Sequence, residues 1–135
     1  MASWSRLFPG RPEQVAQARL FTRSVLAGRP EEATAELVVS ELSTNAVLHS
    51  ASGGPGGSFV VSVLVRADGV MVGVDDLGSA AEPAARAADD GAPRESGMGL
   101  VLVAALAKEW GSARTPAGWR VWAELAGADI ADAVS

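Results

Sequence analysis

The sequence predicts an α/β two-layer sandwich: a mixed, mainly antiparallel sheet covered on one face by three helices. Two observations point there. Segments with the helical period of apolar residues recur at Pro12–Leu26, from Pro30 to His49, and at Leu100–Trp110. Short β-branched segments stand between and after them, and the pair at Phe59–Arg66 and Val70–Val74 is joined by only the three residues Ala67-Asp68-Gly69, which suits a hairpin. Helices packed on one face of such a sheet are an allowed layer solution. The 135 residues are close to the usual size of one domain, so residues 1–135 are taken as a single unit.

Trp4 to Phe8 alternate weakly and read as an edge strand, ended by Pro9-Gly10. In the first helix Val15, Ala18, Thr22, Val25 and Leu26, with Leu20 as a weaker match, follow the helical period. Pro12 suits the first turn, where its missing N–H is not needed, and Gly28 stops the helix. Pro30 opens the second helix, with Glu31 and Glu32 near its positive end. Its apolar face is Ala35, Val38, Val39, Leu42 and Ala46. Residues 51–58 read as a flexible loop. Residues 77–96, rich in Ala, Asp, Gly and Pro, are longer than most connections and about as long as a functional loop. The third helix is expected to run to Trp110 and stop at Gly111, and Trp119–Leu125 is a last strand. Trp119 and Trp122 are expected to pack one sheet face, with stacking on a ligand as the alternative.

Composition excludes several functions. The hydrophobic fraction of 48% and charged fraction of 20% belong to a globular chain. A net charge of -5 argues against binding duplex nucleic acid, which wants a basic face. It leaves room for a small anionic ligand, because backbone amides and magnesium can carry that load. With no cysteine, disulfides, zinc thiolate sites and thiol chemistry are excluded. There is no apolar run of membrane-spanning length and no apolar core of a secretory signal at the N-terminus, so no membrane partner and a cytoplasmic location are expected.

Three short blocks carry chemistry. Glu41, Asn45 and His49 are spaced by four, which puts them on one ridge of the second helix. At about 100° per residue, Asn45 and His49 fall beside the apolar face and Glu41 at its border. Such a ridge either faces water or lines a cleft where it can hold a metal or take a proton, and His49 alternatively caps the helix end. Asp76-Leu77-Gly78 follows a strand. It is either a turn, or a carboxylate that accepts a bond from an exocyclic amine beside a glycine that lets a flat ring approach. Asp75 alternates with Asp76 and should point the other way. Gly97-Met98-Gly99 precedes a helix, where it either exposes amides to an anion or only starts the helix. The spacing is neither that of a P-loop nor that of a dinucleotide fingerprint.

Together the blocks resemble a family. ELSTNAVLHS is similar to the N-box of the Bergerat-fold ATPases, the superfamily of gyrase, histidine kinases and MutL. VDDLGS resembles its first glycine box and ESGMGLVLVAALAKEWG its second. Within it the short length, Phe8-Pro9-Gly10, Trp110-Gly111 and the final Val121-Trp122-Ala123-Glu124-Leu125 resemble anti-sigma factor serine kinases, over about residues 6–125. The resemblance implies ATP and magnesium as cofactors. It implies that Asn45 ligates magnesium, Glu41 is the catalytic base, Asp76 rather than Asp75 reads the adenine amino group, and Gly78 gives the base room. Gly97 and Gly99 would let a lid over residues 77–96, with Arg86 and Arg94 as its cations, order on the phosphates.

Two positions depart from the pattern. Arg120 stands in the last strand near the adenine, where relatives carry a small hydroxyl, and Met98 gives the lid no charge. The expected function is an ATP-dependent protein serine/threonine kinase that binds a sigma factor and phosphorylates its antagonist, with a homodimer as a possible assembly. The alternatives are a non-catalytic module that holds a sigma factor or other regulator with ATP as a structural ligand, and a stand-alone ATPase domain. Retention of Glu41 and Asn45 favours the kinase; Arg120 and Met98 favour the binding module.

Overall fold

A computed structural model describes residues 1–49, 56–77 and 97–125. Its elements run β1 (Ala2–Pro9), α1 (Glu13–Val25), α2 (Glu32–His49), β2 (Ser58–Arg66), β3 (Gly69–Asp76), α3 (Gly97–Leu106), β4 (Glu109–Arg114) and β5 (Trp119–Leu125). The five strands form one sheet in the order β1-β2-β3-β5-β4, and each described pairing is antiparallel. The loop and lid expectations at residues 51–58 and 77–96 fall largely outside the described residues.

Alternation along the strands decides which residues meet the helices. Phe59, Val61 and Val63 on β2, Val70, Val72 and Val74 on β3, and Ala123 and Leu125 on β5 are all buried on one face. The register joins them to Phe8, whose ring stacks on Phe59 at 5.5 Å and meets Phe21 of α1 edge-on at 6.0 Å. Helix α2 lies over this face against β2, β3 and β5, with α1 and α3 as its neighbours. Its expected apolar face, Ala35, Val38, Val39, Leu42 and Ala46, is buried throughout. In α1 the buried positions are Ala18 and Thr22, joined by Leu26 at the helix end, whereas Leu20 faces outward. The Thr22 hydroxyl is satisfied by the Ala18 carbonyl at 2.9 Å.

The helix ends differ slightly from the expectation. Pro12 occupies the cap position of α1, and Gly28 leaves the helix with φ +84°, a left-handed conformation that glycine adopts without a Cβ penalty. Helix α2 begins at Glu32, so Pro30 and Glu31 precede it. The Glu31 carbonyl takes the amide of Ala35 at 2.8 Å, and its buried carboxylate accepts from Arg29 Nε at 3.2 Å.

Residues 107–114 hold the main correction. The third helix ends at Leu106, and Trp110-Gly111 lies in strand β4 rather than at a helix end. The amide of Lys108 donates to the Glu124 carbonyl at 2.7 Å and starts the ladder with β5. Gly111 stops nothing. It pairs with Trp122, whose ring lies over it so closely that a Cβ there would sit 2.7 Å from the ring. A glycine in an edge strand is stabilised by an aromatic ring laid across it from the neighbouring strand.

The two tryptophans of β5 therefore face opposite ways. Trp119 is three residues from Trp122, an odd interval in a period of two, so Trp119 lies on the helix side and Trp122 on the outer side. The outer face also carries the Ser5–Ser62 hydroxyl pair at 3.1 Å and the Arg66–Glu124 ion pair at 2.9 Å. Among the described residues, no helix is long and apolar enough to cross a membrane.

Candidate functional site

Helix α2 carries the first motif and packs on the two elements that carry the others, β3 and α3. Glu41 and Asn45 lie half-buried along it, between the buried Leu42 and Ala46 and solvent. That is the border position the helical period predicts, and it leaves both polar heads accessible beside the core. His49 is the last residue of α2.

Strand β3 separates its two terminal carboxylates. Asp76 faces the helices and is 7% exposed. Asp75 faces outward, where both its oxygens accept from Arg120, Nε at 2.7 Å and Nη2 at 2.7 Å. This fork–fork geometry is the favoured arrangement of guanidinium and carboxylate. The hydrogen bond to Asp75, and then its charge, raise the Arg120 pKa above its usual value. Arg120 is consequently not beside Asp76, contrary to the expectation from its place in the last strand. The register pairs Arg120 with Asp75 and Trp119 with Asp76.

No motif foreshadowed the surroundings of Asp76. Phe59 is its partner on β2 and Trp119 its partner on β5. The Trp119 ring is half-buried, with the Arg114 guanidinium 5.6 Å from the ring centroid. Gly118 is buried against Asp76: a Cβ on it would collide with the Asp76 carbonyl oxygen and stand 3.5 Å from the carboxyl carbon. Recognising this would have required the register of β5 on β3, which sequence alone did not supply.

Gly97 is the first residue of α3 and Gly99 lies in its first turn, which carries no acidic side chain. A helix start of this kind turns unpaired amides and the positive dipole end outward. Gly78, Arg86 and Arg94 lie outside the described residues. Among the described residues, no group of three or more His, Asp or Glu side chains is arranged to hold a metal. The amide oxygen of Asn45 is a donor of the kind magnesium takes, an ion that binds one or two protein ligands and completes its shell with water and phosphate. A surface groove lined by Arg19, Ala33, Glu36, Leu37 and Ser40 shares no residue with the motifs.

Over residues 8–125 the chain matches the family described as the histidine kinase-like ATPase domain. No curated protein matches it.

Proposed function

The chain belongs to the histidine kinase-like ATPase domain family, and on that premise we propose that it binds ATP with magnesium and transfers the terminal phosphoryl group to a serine or threonine of a protein. The observation that carries this reading is the pairing of a buried, helix-facing Asp76 with a half-buried Glu41/Asn45 ridge on the adjoining helix. One end of such a site reads a base; the other handles phosphates.

In this reading each residue has one task. Asp76 accepts the adenine amino group, and Gly78 lets the ring lie close. Asn45 offers its amide oxygen to magnesium, and the amides at Gly97 and Gly99 face the phosphates. Bound magnesium spreads the charge that develops on the phosphates. Glu41, one turn before Asn45, takes the proton of the incoming hydroxyl as its oxygen bonds to phosphorus and the bond to the ADP oxygen breaks. Phosphoryl transfer of this kind depends chiefly on positioning and charge stabilisation, which suits a site with a single base.

The partner in this proposal is a sigma factor, and the phosphate acceptor is its antagonist. The support is the resemblance of the short chain to anti-sigma factor kinases. The rival reading, a binding module without catalysis, drew on the departures at Arg120 and Met98; the engagement of Arg120 by Asp75 on the outer face weakens the first of these and leaves the second.

The test is Glu41→Gln, which keeps shape and hydrogen bonding but removes basicity. ATP affinity should stay near wild type, and transfer to the antagonist should fall about a hundredfold, less if the metal does most of the work. Transfer at the wild-type rate would make Glu41 structural. A wild type that binds a sigma factor yet phosphorylates no antagonist would replace the kinase reading with the binding module.

A further inference from the structure

We infer that the tip of the β4–β5 hairpin, through Gly118, positions the Asp76 carboxylate and thereby sets the selectivity of the site for adenine over guanine. This deepens the reading of Asp76 as the base-reading group and rests on it.

The hairpin tip is tied in several ways. Arg114 and Trp119 form its last strand pair. Beyond them the Thr115 amide donates to the Gly118 carbonyl at 2.8 Å, and the Gly118 amide donates to the Thr115 carbonyl at 3.2 Å and to the Thr115 hydroxyl at 3.0 Å. Gly118 is thereby held close against Asp76, in a space that has no room for a Cβ. What it would strike is backbone oxygen, which cannot swing aside as a flexible side-chain end can. Its requirement for glycine is therefore one of close approach.

At the neighbouring residue of the same strand, the Arg120 fork holds Asp75. The end of β3 is thus hemmed in at both of its terminal residues, by Gly118 at Asp76 and by Arg120 at Asp75, which limits the directions open to the Asp76 carboxylate. Direction matters because a hydrogen bond weakens steeply off line. Adenine presents an amino donor where guanine presents a carbonyl acceptor. A carboxylate held in line with that donor favours the first and repels the second. Phosphate and magnesium contacts are common to both nucleotides and cancel in the ratio of their affinities.

The experiment measures ATP and GTP affinities of the full chain at fixed magnesium, in wild type, Gly118→Ala, Asp76→Ala and the double variant. Gly118→Ala should lower the ATP-to-GTP ratio by roughly tenfold, because a displaced acceptor no longer discriminates. A merely structural lesion would weaken both nucleotides alike and leave the ratio standing. The double variant should lose no more selectivity than Asp76→Ala alone, since coupled residues are non-additive. If Gly118→Ala does not fold, Thr115→Val, which removes only the hydroxyl bond to the Gly118 amide, should move the ratio in the same direction. An unchanged ratio in the folded variant, beside a wild type that prefers ATP, overturns this inference alone. A wild type without preference for ATP overturns the adenine reading of Asp76 and the inference with it.

Discussion

Two neighbouring aspartates differ in kind at the residue scale. Asp76 is buried under the helices and Asp75 is held at the outer face by Arg120. Asp76→Ala should weaken ATP strongly in calorimetry, because a site built around one acceptor loses much without it, and Asp75→Ala should weaken it little. The opposite ranking would contradict the register. Alternation alone was enough to say that the two point apart; which one faces the helices came from the resemblance. The outward position of Arg120 is set by the register of β5 on β3, which its place in the chain does not reveal. A second residue prediction concerns Ser43, a buried α2 hydroxyl that has no hydrogen-bond partner among the described residues. Ser43→Ala should leave stability unchanged or raise it by up to about 1 kcal/mol, read from the urea midpoint. A clear loss would reveal a partner for the hydroxyl.

Among the elements, β4 is the instructive one. Residues Glu109–Arg114 hold a single large apolar side chain, Trp110, and sit at the sheet edge. They carry too little periodicity to read as a strand, and Trp110 extends the apolar pattern of α3 well enough to pass for its last turn. Only pairing with β5 makes a strand of them. Gly111→Val should therefore unseat the Trp122 ring and lower stability by about 1 kcal/mol in urea unfolding, in line with mild overpacking. An unchanged midpoint would mean that the ring yields without cost on the open outer face. By contrast β2, β3, α1 and α2 were legible, because each buries one face and so shows its period plainly: two for Val61 and Val63, three to four for Ala35, Val38, Val39 and Leu42.

For the molecule as a whole, one helix connects the pieces. Helix α2 buries an apolar face on the sheet while its Glu41–Asn45 ridge stays at the border, beside the strand that ends in Asp76. The same helical period that builds the core thus sets the polar ridge next to it. Gly118 escaped sequence reading for the converse reason: its role depends on two strands meeting across forty residues of chain, which no local pattern encodes. In the proposed site Asn45 is the centre of magnesium-dependent ATP binding. Calorimetric titration of ATP, with and without magnesium, in wild type and Asn45→Ala tests it most directly. Magnesium should tighten ATP in the wild type, and that gain should vanish in Asn45→Ala while the fold persists. Equal magnesium-dependent affinity in the two proteins would contradict the account.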